Sequence, residues 1–204
     1  LVVGSQAVVQ PAPARHSIGP VVVSTHGLDV RAGEVVGLAG MPGAGQAGVV
    51  AAVLTAHPGA AHIPQDRQAA GFVAELPIAT NLVLNRLGEF TRRGLLRRDQ
   101  ITATAQRLAD EYGISTPVAA PAATLSGGNQ QRLVLARELS LPRQVVVACE
   151  PTSGLDVAAV GFVHQQLRRA RDGGAAVLLV SSDADELALL ADRVVETSEV
   201  LDAS

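Results

Sequence analysis

Seven consecutive residues, Leu125-Ser126-Gly127-Gly128-Asn129-Gln130-Gln131, place a small hydroxyl, two glycines and three amides just ahead of an apolar helical pattern. Ser126 is of the type that caps a helix N-terminus, and the glycines let backbone N–H groups approach a ligand closely. A helix begun this way offers free N–H donors and the positive end of its dipole, both suited to a phosphate. The plainer alternative is a capped turn before an amphipathic helix. A second cluster, Gly40-Met41-Pro42-Gly43-Ala44-Gly45-Gln46-Ala47, follows the β-prone run Glu34–Ala39 and precedes helix-compatible residues Gly48–Leu54. Strand, glycine loop and helix in that order let successive N–H groups curl around phosphate oxygens. Such loops normally continue with a Lys for the β- and γ-phosphates and a Ser or Thr for Mg²⁺. Gln46 and Ala47 stand at those two places, so a full charge and a metal ligand are missing.

The elements that must hold these loops follow from pattern. Leu1–Val9 and Val21–Val23 are β-prone runs separated by a Pro-rich connection, and a turn at Arg31-Ala32-Gly33 leads into the third run. Residues 76–124 change character: Ala79–Leu87 and Arg97–Tyr112 fit helices, with a break at Arg92-Arg93-Gly94. Leu133, Ala136, Arg137 and Leu139 recur at helical spacing over Gln130–Leu141, and Pro142 stops that helix. Val145–Ala148 is a continuous apolar strand of the kind buried in a parallel sheet, and Ala175–Val180 is another. The helix Ala158–Arg171 lies between them, ending at Gly173-Gly174. Asp183 and Glu186 have the spacing of a helix N-cap with a carboxylate three residues on.

Composition narrows the function classes. The chain has 204 residues, 48% of them apolar and 17% charged, enough for one large domain or a core with a subdomain. A net charge of −3 gives no general case for nucleic acid; the cluster Arg92, Arg93, Arg97 and Arg98 fits a solvated helix face. No apolar run reaches the roughly 18 residues that span a bilayer. There is no signal-peptide pattern, and the first residue is not Met, as expected of a piece of something longer. The single Cys149 excludes an internal disulfide. His16, His26, His57, His62 and His164 lack metal-ligand spacing, and their default role is surface or packing. All 16 basic residues are Arg, which excludes any mechanism needing a lysine of this chain.

The Leu125–Gln131 run resembles the signature motif of the ABC ATPases, in the form found in importers of sugars and nucleosides. Other motifs of that family lie around it in order. Ile63-Pro64-Gln65-Asp66-Arg67 resembles the segment whose Gln touches Mg²⁺ and the attacking water. Cys149-Glu150-Pro151-Thr152 followed by Ser153-Gly154-Leu155-Asp156 resembles the Walker B strand end and the D-loop. In the family the place of Cys149 belongs to a Mg²⁺-holding carboxylate, Glu150 stands at the general base, and Ser182 replaces a His that touches the γ-phosphate. Gln46 fits the second ATPase domain of these importers, where a Gly-Asn-Gly-Gln loop is familiar. Only 18 residues separate Gln46 from Gln65, where the family normally inserts extra antiparallel strands.

The resemblance implies an α/β P-loop NTPase core with a mainly parallel sheet, residues 1–66 and 142–204. Residues 67–141 are then an inserted helical subdomain carrying the signature. Nucleotide contacts fall on Gly40, Gly43, Gly45, Gln46, Ala47, Ser126, Gly127, Gly128, Gln130, Asp156 and Ser182, with Glu150 and Gln65 as catalytic candidates and no metal ligand. The cofactors implied are ATP and Mg²⁺, the metal held by a partner's site. Family dimers assemble head to tail, so Ser126–Gly128 would close over an ATP bound by a second ATPase domain, on the same or a sister polypeptide. Further partners are membrane permease subunits, with no nucleic acid, and the location is the inner face of the cell membrane. Hydrolysis at the chain's own loop is expected to be negligible. A self-sufficient ATPase and a nucleotide-free regulatory module remain the alternatives.

Overall fold

A computed structural model describes residues 17–25, 27–40 and 44–202. The Leu1–Val9 run, His16, His26 and Gly43 lie outside the described residues. Strands β1 (Val21–Thr25) and β2 (Leu28–Arg31) form an antiparallel hairpin. Then come β3 (Val35–Ala39), helix α1 (Gln46–Ala56) and β4 (Ala61–Ile63). A stretch that adds no strand to the main sheet follows, with α2 (Ile78–Leu82), a hairpin of the two-residue strands β5 (Thr91–Arg92) and β6 (Leu95–Leu96), α3 (Arg98–Tyr112) and α4 (Gly127–Leu139). The chain then returns through β7 (Val145–Cys149), α5 (Val157–Asp172), β8 (Ala176–Val180), α6 (Ala184–Leu190), β9 (Arg193–Glu196) and α7 (Thr197–Asp202).

Five strands make one wholly parallel sheet in the order β4-β7-β8-β3-β9. Its central strands are buried along nearly their whole length, which is why they read as unbroken apolar runs rather than alternating ones. Helices cover both faces. One core joins Ile63, Val146 and Leu179 to Leu82, Leu108, Leu133 and Leu167, so the helices of residues 67–141 share their apolar interior with that face. The other core joins Leu38, Val147 and Leu178 to Val49 and Val53 of α1 and to the β1–β2 hairpin. The carboxyl ends of β3 and β7 thereby open onto the α1 N-terminus, the region where ligands bind in parallel α/β sheets.

Several boundaries differ from the sequence expectation. The helix expected over Ala79–Leu87 is α2 followed by a tighter 3₁₀ stretch, Leu84–Phe90, with Arg86 at φ −142°. Asn81 and Asn85 bond their side-chain amides to the carbonyls of Val73 and Arg137, competing with a regular helix ladder, and Gly88 weakens it further. Helix α4 starts at Gly127, three residues earlier than the periodicity suggests, so both signature glycines lie in its first turn. Strand β9 carries no strong periodic signal. β9 pairs with β3, assisted by Val35 N–H donating to Asp192 Oδ2 and Asp192 N–H donating to the Val35 carbonyl, both at 2.8 Å.

Candidate functional site

The residues singled out by motif fall into two separate groups. In the first, Gly40, Gly45, Gln46, Ala47, Gln65, Cys149 and Glu150 line a single cavity of about 430 Å³, with Val50, Leu54, Pro64 and Val180 as its apolar wall. Gly45 takes φ 103°, a left-handed conformation that glycine adopts without strain, and it caps α1 with no side-chain bond. A Cβ on Gly40 would lie 2.7 Å from Gln46 Nε2 and 2.6 Å from Thr197 Oγ1. The amide of Gln46 therefore folds back over the glycine turn. Thr197, whose hydroxyl donates to the Ala39 carbonyl at 2.7 Å, closes the other side.

No described lysine or arginine lines this cavity. Burial, with the Glu150 charge beside it, pushes the Cys149 thiol up to about 12, so it is a protonated, poor metal ligand at neutral pH. Glu150 sits at φ 44° and its carboxylate accepts the Ser182 N–H at 2.7 Å. An L-residue held left-handed costs of order 1–3 kcal/mol and is found where the surroundings over-determine it. Two backbone bonds do so here: Glu150 N–H to the Val180 carbonyl, and Ser153 N–H to the Glu150 carbonyl. A methyl, an amide, a thiol and a serine in place of a cation and hard oxygen ligands do not fit Mg²⁺, and no described cluster of His, Cys, Asp or Glu could hold a metal.

Ser182 is held by a network the sequence did not disclose. Glu186, spaced like a capping-box carboxylate, does not cap; it is buried, with Oε1 3.0 Å from His164 Nε2 and Oε2 accepting the Ser181 hydroxyl at 2.7 Å. The Asp183 N–H goes instead to Ser181 Oγ at 3.1 Å. Asp183 caps α6 as expected, accepting from the N–H groups of Asp185 and Glu186. His164 is thus a buried hydrogen-bonding partner of Glu186, and only its distance in sequence from Glu186 hid the pair.

The second group lies where α4 meets α5. Leu125 is buried and anchors the turn, while Ser126 is exposed at the N-cap position and makes no side-chain cap bond, contrary to expectation. The first intrahelical bond runs from Gln130 N–H to the Ser126 carbonyl at 2.8 Å. The N–H groups of Gly127, Gly128 and Asn129 consequently have no intrahelical acceptor. A Cβ on Gly128 would sit 3.5 Å from Ala159 Cβ and 4.0 Å from Asp156 Oδ2, which places the α5 N-terminus alongside. Asp156 has a structural task as well: its Oδ1 caps α5 by accepting Ala159 N–H at 2.8 Å. Gln130 is turned inward, its amide donating to the Leu125 carbonyl at 3.1 Å, and so is buried rather than presented. Gln131 donates to the Pro151 carbonyl at 2.8 Å and ties α4 to the segment after β7.

Arg67 is the residue that motif reasoning passed over. It opens a single π-helical turn, Arg67–Gly71, capped by Asp66, and its Nη1 donates to the Ser153 carbonyl at 3.0 Å. The motif that carries Gln65 also contains Arg67, but only the folded chain brings it beside Gly127.

The sequence pattern of the ABC transporter family matches residues 23–153. The guanosine import ATP-binding protein NupO of Bacillus subtilis is 37% identical over 82% of this chain and 38% of its own length. The nucleoside import ATP-binding protein NupA of Lactococcus lactis is 33% identical over 88% and 41%. The ribose import ATP-binding protein RbsA 2 of Streptomyces coelicolor is 36% identical over 83% and 38%. The chain therefore spans about two fifths of the length of these relatives. Among solved structures, the dimeric bacterial ABC transporter cassette MJ0796 superposes with a TM-score of 0.67 at 20% identity, covering 83% of each chain, a likeness of fold. On its matched sequence, the chain belongs to the ABC transporter family.

Proposed function

We propose that this chain is the ATP-binding subunit or domain of an importer for simple sugars or nucleosides, and that it completes an ATP site held chiefly by a second ATPase domain. That domain lies on the same or a sister polypeptide, and both dock on membrane permease subunits. Residues 67–141 act as the helical subdomain, and 1–66 with 142–204 as the core. The names of the guanosine, nucleoside and ribose import relatives support the importer class. On this reading the chain sits at the inner face of the cell membrane through the permease; no described helix is long and apolar enough to cross a membrane.

One contrast carries the proposal. The turn Ser126-Gly127-Gly128 keeps free N–H donors at the positive end of a 13-residue helix, with an exposed hydroxyl beside them. Among the described residues, the chain's own phosphate-loop cavity has no lysine or arginine and instead faces the Glu150 carboxylate. Phosphoryl transfer is stabilised by positioned positive charge and oriented donors, so the first arrangement serves a triphosphate and the second opposes one. The chain therefore contributes N–H donors and a hydroxyl to the γ-phosphate of an ATP whose Mg²⁺ is held by the partner's residues. Glu150 and Gln65 have no chemistry to perform at this chain's loop.

Gly127→Asp in the complete importer tests this. It adds a negative side chain, directed at the Arg67 guanidinium, to the turn that offers its N–H donors, and is expected to cut ATP turnover by about a hundredfold or more, the scale of losing oriented donors. Unchanged turnover would mean a regulatory module that meets no nucleotide.

A further inference from the structure

Arg67 occupies the one place where three functional segments converge. Its chain position follows Gln65 by two residues, and the Asp66 cap holds the π-turn from which it projects. Its Nη1 donates to the Ser153 carbonyl at 3.0 Å. Its Nη2 lies 3.2 Å from the point where a Gly127 Cβ would be, and 4.0 Å from the equivalent point on Gly154. The guanidinium thus fills the crevice between the signature turn and the D-loop, and Gly127 leaves the room for it. No described carboxylate pairs with Arg67, and its Nε is buried without a partner. A fully buried arginine is ordinarily ion-paired; Arg67 is only partly buried, and its buried Nε is the part left without a partner. This one spends its contacts on backbone.

The D-loop needs such a hold. From Glu150 to Leu155 it is a tight turn closed on itself, by Ser153 N–H to the Glu150 carbonyl and Leu155 N–H to the Thr152 carbonyl, with Gly154 at φ 68°. Two side chains bond its carbonyls from residues 67–141: Gln131 at Pro151 and Arg67 at Ser153. Gln131 does so from within the signature helix, whereas Arg67 reaches the Ser126–Gly128 turn from outside it.

Resting on the composite-site reading above, we infer that Arg67 is a positioning residue: it sets the spacing between Ser126–Gly128 and the Ser153–Asp156 segment, so that both meet a partner's nucleotide as one surface. It also links that surface mechanically to the Gln65 segment. Because Arg67 acts through the signature and the D-loop, its loss is expected in turnover rather than in the partner's grip on ATP.

The test uses the complete importer with Arg67→Ala, Arg67→Lys and Gly127→Asp. Misplacement of reacting groups by a fraction of an ångström costs about tenfold or more in rate. Arg67→Ala is therefore expected to lower kcat about tenfold with KM for ATP held within about twofold. Arg67→Lys, which keeps a donor for the Ser153 carbonyl, is expected to recover most of that loss, and the thermal midpoint of all three proteins should stay within about 2 °C. Full kcat in Arg67→Ala while Gly127→Asp is inactive overturns the inference and leaves the composite site standing. Equal loss in Arg67→Ala and Arg67→Lys with a lowered midpoint also overturns it, since Arg67 would then be a fold residue alone. Full activity in Gly127→Asp overturns both.

Discussion

Gly45-Gln46-Ala47 and Ser126-Gly127-Gly128 are built on the same plan, a glycine turn opening a helix of three turns or so whose first N–H groups lack intrahelical acceptors. Their surroundings differ. Around the first stand an amide folded onto Gly40, a methyl, a protonated thiol and the Glu150 carboxylate, against an apolar wall. Around the second stand an exposed hydroxyl, the N-terminus of α5 with its Asp156 carboxylate, and the Arg67 guanidinium, so a cation is present there beside the carboxylate. A helix dipole supplies about half a charge at best, too little to hold a triphosphate against a facing carboxylate without a cation or metal. The comparison teaches that a phosphate loop is defined by its charges as much as by its glycines.

The largest effect that would break this contrast concerns Cys149. With its thiol pushed up to about 12 from an ordinary 9.0, mainly by burial, alkylation at pH 8 should run about a thousandfold slower than for a free cysteine. Labelling with iodoacetamide, followed by mass spectrometry, measures it. Fast labelling would reveal an electropositive loop and undo the contrast. The same shift has a stability consequence, and Tyr112, raised to about 12 by burial, adds to it. Both folded groups hold their protons more tightly than the unfolded chain does. Their contribution is complete below about pH 9 and is lost as pH rises toward about 12, so denaturant midpoints should fall as pH is raised across that window.

A smaller effect sharpens the other side. Asp156 both caps α5 and lies at the signature's flank. Asp156→Ala should cost about 1 kcal/mol of stability, and Asp156→Asn, a comparable cap, only a few tenths. Urea unfolding of both variants separates the cap from any role at the interface, where turnover in the importer is the readout. Loss of turnover in the Asn variant at full stability would show that the charge itself is needed.

Much of the sheet was legible because its central strands are continuous apolar runs, and α3, α4 and α5 were legible as helical stretches, while α1, apolar nearly all round, was legible only from its place after the glycine loop. β9 was not, since Arg193, Val194 and Glu196 are exposed and its pairing depends on Asp192 reaching Val35, far away in sequence. Gln46, Ala47, Cys149 and Glu150 were legible by motif position, and the cavity joins them. The inward turn of Gln130, the free hydroxyl of Ser126, the His164–Glu186 pair and the reach of Arg67 across 86 positions to Ser153 were not. Each is a tertiary choice among partners that local sequence leaves equal. Glu186 shows it best: its spacing to Asp183 suggests a cap, but a buried histidine and serine outbid the exposed N–H.

The most direct measurement is equilibrium titration of the chain with a fluorescent ATP analogue and Mg²⁺, first alone and then with the companion ATPase domain. The expected result is no saturable binding by the chain alone up to about millimolar nucleotide, with binding by the pair that Gly127→Asp weakens. Micromolar, Mg²⁺-dependent binding by the chain alone, unaffected by Gly127→Asp, would contradict it.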